Sequence, residues 1–180
     1  MKLSEFDNRA FERGRPSWVE ACWRVLEGLL FSTWLPGSGW RVGLLRLFGA
    51  RVGRGVVIKP RVRVKFPWRL EVGDHSWIGE SVWIDNLAPV RIGHDCCLSQ
   101  GAYLCTGSHD WATQRFDLVV KPITIADQAW LAAGSLVAPG VAVGEGAVLG
   151  LGAVATEDLQ SWTIYAGNPA VPVRERKRAS

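Results

Sequence analysis

Ile78-Gly79-Glu80-Ser81-Val82-Trp83 and Val143-Gly144-Glu145-Gly146-Ala147-Val148 are two copies of one six-residue pattern, and the pattern runs outward from both. Aliphatic anchors fall at Val52, Ile58 and Val64, then after a step of eight at Val72, Ile78 and Ile84, and after another at Ile92, Leu98 and Leu104. The six-step is therefore nested in a repeat of 20 residues, and after an interruption it resumes at Ile125, Leu131, Val137, Val143 and Leu149. The residue after each anchor is tiny or turn-prone, as at Gly53, Gly73, Gly79, Asp85, Gly93 and Ala132. The residue four after it is small or Val, as at Val56, Ser76, Cys96, Ala102 and Ala147. A helix repeats every ~3.6 residues and a strand every ~2, so neither produces this spacing. A triangular coil of three short flat strands per turn does. The anchor fills the interior, the small residue fits the tight inside of a corner, and Gly or Asp supplies the turn backbone. In that reading Cys96 is a core filler.

The flanks read differently. The chain has 180 residues, enough for one domain with an appendage, and 20 glycines with 21% charged residues argue against a helical bundle and against disorder. Residues 17–30 have the apolar spacing of an amphipathic helix with Ser17 as a cap, and Pro36, Gly37 and Gly39 end it. Trp40–Phe48 reads as a second short helix. The expected division is 1–50 as an N-terminal amphipathic helical segment, 51–158 as coils with a loop at 106–121, and 159–180 as a turn and basic tail. Glu20, Arg24 and Glu27 are wrong for a bilayer span. The Trp-rich apolar face suits either docking on the open end of the coil or lying on a membrane surface.

Charge is uneven. Residues 41–69 carry nine cations (Arg41, Arg46, Arg51, Arg54, Lys59, Arg61, Arg63, Lys65 and Arg69) and no acid, and Arg174–Arg178 form a second basic run. Anionic membrane, pyrophosphate and CoA phosphates all fit such a patch, and a solvated basic face is the plain reading. Nucleic acid has charge alone in its favour, with no recognition motif. The N-terminus is polar and mixed in charge, unlike a secretory signal. The four cysteines, Cys22, Cys96, Cys97 and Cys105, show neither metal nor disulfide spacing and suit a reducing cytoplasm.

The irregularities of the repeat mark a site. Leu104 to Ile125 spans 21 residues where six would do, so a loop leaves the corner that follows the third anchor. A long loop on a regular solenoid is more often functional than accidental. That loop carries Gly107-Ser108-His109-Asp110, and Asn86 lies at the same corner one coil earlier. His109 reads as a general base for an acceptor hydroxyl, with Asn86 holding the acceptor or orienting the base. His75 and His94 fall in turns and read as exposed loop residues.

The stretch Asn86-Leu87-Ala88-Pro89…Tyr103-Leu104-Cys105-Thr106-Gly107-Ser108-His109-Asp110…Phe116-Asp117-Leu118…Lys121-Pro122-Ile123, with the hexapeptides, resembles the hexapeptide-repeat acyltransferases. Within these it is similar to the colanic-acid biosynthesis acetyltransferases and the galactoside and maltose O-acetyltransferases. The resemblance implies a left-handed parallel β-helix, usually a homotrimer, and acetyl transfer from acetyl-CoA to a sugar hydroxyl in exopolysaccharide or cell-surface glycan synthesis. The acceptor would be free, nucleotide-linked or lipid-linked. Catalytic roles then fall on His109 and Asn86. Ala133 matches a position whose backbone N–H stabilises the thioester oxyanion. Leu151 and Thr156 match positions lining the pantetheine and adenine path, and Arg174 matches a contact to the 3′-phosphate. No metal is implied, and peripheral contact with the inner membrane face is an expectation from the Trp-rich segment. The acceptor-binding N-terminal domain of the sugar transferases is replaced here by that segment. Two other functions are compatible with a β-helix: a non-catalytic scaffold, and a γ-type carbonic anhydrase, which needs three histidines on one zinc.

Overall fold

The structure, a computed structural model, describes residues 1–178; Ala179 and Ser180 of the basic tail lie outside the described residues. The chain is a left-handed β-helix of about six turns, each turn giving one short strand to each of three parallel sheets. The first face stacks Arg51–Val52, Leu70–Val72, Val90–Ile92, Ile123–Ile125 and Ala142–Val143. The second stacks Val57–Ile58, Trp77–Ile78, Cys97–Leu98, Trp130–Leu131, Val148–Leu149 and Thr163–Ala166. The third stacks Arg63–Val64, Trp83–Asp85, Tyr103–Cys105, Leu136–Val137 and Val154–Ala155. The register follows the repeat: Val52 pairs with Val72, Ile58 with Ile78 and Val64 with Ile84, each 20 residues on. The coil outlasts residue 158, because Thr163–Ala166 still pairs in parallel with Val148–Leu149.

Anchors from Ile58 to Leu149 are buried, as are the small residues four after them, and Val52 at the end of the stack is half-buried. Cys96 is a core residue as read, and burial pushes its thiol up to about 11. The turn differs from expectation. The residue three after the anchor, not the one directly after it, takes the left-handed backbone, at Arg61, His75, Ser81, Asp95 and Gln128 as well as at glycines such as Gly101 and Gly134. The position after the anchor is small because the next coil passes there. A Cβ on Gly73 would come within 2.6 Å of the Gly93 carbonyl carbon, and one on Gly79 within 2.7 Å of the Gln100 nitrogen.

The N-terminal segment closes the open end. α1 spans Ser17–Leu26, its last turn widens through Glu27–Phe31, and α2 spans Gly39–Leu47. Ser17 makes no capping bond and is instead the first helical residue. Unpaired backbone groups of the first coil find partners in this cap, as an exposed sheet edge requires. Trp23 donates its indole N–H to the Val64 carbonyl at 2.7 Å, and Val64 N–H donates to Glu27 at 2.8 Å. Ile58 N–H donates to the Ser38 hydroxyl, and Arg61 N–H to the Thr33 carbonyl. Trp23, Phe31 and Leu45 are fully buried against the coil core. Arg41 is buried too, its guanidinium donating to the carbonyls of Phe31, Thr33, Leu35 and Gly37, which fixes the turn between the helices. At the other end, Gly167 turns the chain so that Val171–Glu175 pairs antiparallel with Thr163–Ala166.

Most of the nine cations have a partner, although Arg51, Arg54 and Arg61 remain largely exposed. The 20-residue stride sets coil-one cations against coil-two carboxylates: Arg51 on Glu71, Arg54 on Asp74 at 3.8 Å, Lys65 on Asp85 at 3.0 Å, with Arg61 on Glu80 at 3.5 Å. Arg46 and Arg69 spend their guanidinium groups on backbone carbonyls, and Arg63 stacks on Trp83.

Candidate active site

The interruption at 106–121 folds into a hairpin projecting from the third corner. Gly107–His109 pairs antiparallel with Leu118–Val120, setting His109 opposite Leu118. Lys121 N–H donates to the Thr106 carbonyl and closes the base. The tip is capped by Asp110, which accepts from Ala112 N–H, so the turn does not depend on the imidazole. A Cβ on Gly107 would lie 2.6 Å from the tip of the Leu87 side chain, which would have to swing away.

His109 is half-buried and held from two sides. Its ring stacks on Phe116 at 4.2 Å and 3°, and the edge of Phe6 packs against it at 5.5 Å. Nδ1 lies 2.8 Å from the Phe116 carbonyl oxygen. A carbonyl only accepts, so Nδ1 carries the proton and Nε2 is left with the lone pair. The hairpin thus presets the tautomer a general base needs. Phe6 carried no signal in the sequence, because it reaches His109 only through the path of the first residues. There Lys2 N–H donates to the Gln114 carbonyl on the same hairpin. Asp7, Asn8, Ala10 to Glu12, Arg69, Leu87 to Pro89 and the hairpin residues Arg115, Asp117, Leu118 and Val120 line an open pocket of about 680 Å³ beside the hairpin, which His109 itself does not line.

Asn86 does not join His109. It is fully buried; its side-chain amide donates to the Phe66 carbonyl at 2.7 Å, and its oxygen accepts from Phe66 N–H at 2.9 Å. Both groups clip the second coil to the first, which corrects the expectation that Asn86 reaches acceptor or base. Through Phe66, stacked between Phe11 and Trp68, it supports the wall of the cavity.

Three of the four expected donor residues come together elsewhere. Ala133, Leu151 and Arg174 line a groove of about 620 Å³ along the second face and second corner, with Ser99, Gln100, Trp130 and Arg176. Trp130 donates its indole N–H to Ser99 at 2.9 Å. Thr156 lies at the third corner, one face away. Among the described residues the amides of Gln100, Ala133 and Leu151 donate to no protein group, whereas the flanking Ala132 and Gly134 amides bond to the coils on either side. Arg176 is anchored to the carbonyls of Gln128 and Gly146, which fixes the cationic end of the groove.

His75 and His94 lie at the first corner and His109 at the third, so the three histidines do not converge as a zinc triad requires. Among the described residues no cluster of His, Cys, Asp or Glu is arranged to hold a metal, and no helix is long and apolar enough to cross a membrane.

This is the fold of the hexapeptide-repeat acetyltransferases. The structure superimposes on the hexapeptide-repeat acetyltransferase VCA0836 of Vibrio cholerae, crystallised with acetyl-CoA, with a TM-score of 0.82 over 96% of this chain and 93% of that one at 24% identity. It superimposes on a galactoside acetyltransferase in complex with coenzyme A with a TM-score of 0.80, covering 98% and 92% at 21% identity. In sequence it is 42% identical over 170 residues to a protein of Escherichia coli (strain K12) provisionally named colanic acid biosynthesis acetyltransferase WcaF, covering 93% of this chain and 92% of that protein. It is 25% identical to the galactoside O-acetyltransferase of the same organism, over 75% of this chain and 68% of that protein. No family model matches the chain. The chain belongs to the hexapeptide-repeat acetyltransferases, in the family of WcaF.

Proposed function

We propose that this chain is an acetyl-CoA-dependent O-acetyltransferase for a sugar hydroxyl in exopolysaccharide or cell-surface glycan synthesis, working in the cytoplasm as a homotrimer. The observation that carries it is His109, with Nδ1 tied to the Phe116 carbonyl and Nε2 left as the base. Nε2 takes the proton of the acceptor hydroxyl as that oxygen attacks the thioester carbonyl. The carbon–sulfur bond then breaks, and the CoA thiolate leaves with the proton that His109 returns. The Ala133 N–H supports the oxyanion, Arg174 and Arg176 the CoA phosphates, and Leu151 the pantetheine.

The assembly reading follows from the prism. Hairpin and groove leave opposite edges of the third face, so one chain does not bring His109 to its own groove. A neighbour's hairpin laid against the groove completes the site, and Thr156, on the hairpin's corner, would reach the donor from that neighbour. Outward columns agree. The first face shows Arg51, Glu71 and Arg91 to solvent, whereas the third shows Arg63 over Trp83, Trp83 stacked on Tyr103 at 4.5 Å, then the apolar Leu136 and Val154. An apolar outward column suits a subunit interface. Light scattering should give three chains at all working concentrations, and a concentration-independent monomer would refute the shared site. Free thiol release from acetyl-CoA, assayed against a panel of free and nucleotide-linked sugars, tests the activity. Arg174→Ala should raise the acetyl-CoA KM about tenfold with kcat little changed. Absence of transfer to every sugar and glycan would overturn the reading.

A further inference from the structure

We propose that the outer face of the N-terminal cap is a docking surface for an anionic lipid bilayer. The sequence left the cap a choice between plugging the coil and lying on a membrane; the structure shows a segment with two apolar faces. In α1 and its widened turn, Trp23, Glu27 and Phe31 point to the coil, while Trp18, Cys22, Val25 and Leu29, at steps of four, three and four, form the opposite stripe. α2 repeats this, with Arg41, Val42 and Leu45 inward and Trp40, Gly43 and Leu47 outward. The core needs only the inner faces. The outer ones, with Trp34 of the turn between the helices, hold large side chains mostly in water: Trp18 is 69% exposed, Leu29 70%, Trp34 71% and Leu47 78%. Trp18 of α1 and Leu47 of α2 line one hollow with Arg15, so the two stripes meet. An apolar patch of this extent marks an interaction surface, and indole rings beside aliphatic ones are the composition of the bilayer interface.

Charge selects the occupant. No Asp or Glu occurs between Glu27 and Glu71. Glu20 is covered by Arg13 and Arg24, and Glu27 is turned to Val64 N–H. Arg15 has no carboxylate within 4.0 Å among the described residues, and Arg46, bonded to the carbonyls of Val52 and Gly53, keeps its full charge. A second copy of this face would set these cations against their own kind, whereas anionic headgroups satisfy them. The coil-one cations, already opposed by Glu71, Asp74, Glu80 and Asp85, add little. Attachment therefore rests mainly on apolar contact, with a modest salt dependence.

The test is co-sedimentation of the full chain with phosphatidylcholine vesicles and with equimolar phosphatidylcholine–phosphatidylglycerol vesicles. The chain should partition onto the mixed vesicles and several-fold less onto the neutral ones. Trp18→Ser with Leu29→Ser and Leu47→Ser, all exposed and outside the core, should cut partitioning about tenfold or more at unchanged circular dichroism. Arg15→Glu should cut it several-fold on mixed vesicles only. Thiol release with a soluble acceptor should be the same in all variants, so binding is read independently of catalysis. No sedimentation with either vesicle, or equal sedimentation of the triple variant, overturns the proposal. So does an assembly larger than the trimer that the triple variant dissolves, since the face would then serve another copy.

Discussion

His94 and His109 stand in the same coil, fifteen residues apart, at two corners of one prism. At the first corner Asp74, His94 and Asp127 form a ladder: Arg54 N–H donates to Asp74, Asp74 N–H to His94 Nδ1 at 2.9 Å, and His94 N–H to Asp127. There the regular repeat occupies the imidazole's lone pair with a backbone donor. At the third corner the repeat is broken, and the hairpin offers a carbonyl instead, so Nδ1 becomes the donor and Nε2 keeps the lone pair. The polarity of one backbone partner thus decides which ring nitrogen of a turn histidine keeps a free lone pair. The amides follow the same logic. They are consumed by side chains at the first corner and left open at the second, where the groove lies.

The sharpest way to break this comparison is to exchange the effects of the two histidines. His109→Ala should lower kcat about a thousandfold or more with thermal stability and acetyl-CoA affinity little changed; an undiminished kcat would remove the base. Gly73→Ala should do the reverse. Its Cβ meets the Gly93 backbone at 2.6 Å, so Tm should fall by roughly 5 °C while kcat per folded molecule holds. His94→Ala should cost less, about 0.5–1 kcal/mol for one solvent-accessible hydrogen bond, read as a small Tm shift at constant kcat. The smallest effect concerns Cys96, two residues on. Burial raises its thiol to about 11, so the reactive thiolate is scarce below about pH 9. Native protein alkylated at mildly alkaline pH should be labelled at exposed Cys22 and spared at Cys96, as peptide mass spectrometry would show.

How much was legible follows the same division. The anchors Ile58 to Leu149, the small residues four after them and the 20-residue register were all readable, because a solenoid writes its geometry into a period. The His109 loop was readable as a break in that period. The positive-φ position was misplaced by two residues: Gly73 and its equivalents looked like turn formers, but it is the passing backbone of the next coil that excludes a side chain there. The corner and spacing of Asn86 point to the site, whereas its contact with Phe66, in the previous coil, is invisible in a linear pattern. The carboxylates that face the basic block are equally invisible in a linear pattern, since they lie about one stride away.

The triangular coil, its register and the corner that carries His109 follow from the sequence alone. These are properties of local periodicity, where each residue's place depends on its own turn. The tautomer of His109, the placing of Phe6 on its ring, the pocket that the first residues form beside the hairpin and the two-faced character of the cap emerge only in the tertiary structure. Each of these depends on which group arrives from a distant part of the chain, and on whether it brings a donor or an acceptor. Hydrophobic spacing carries no record of that, because burial is non-directional and a hydrogen bond is not.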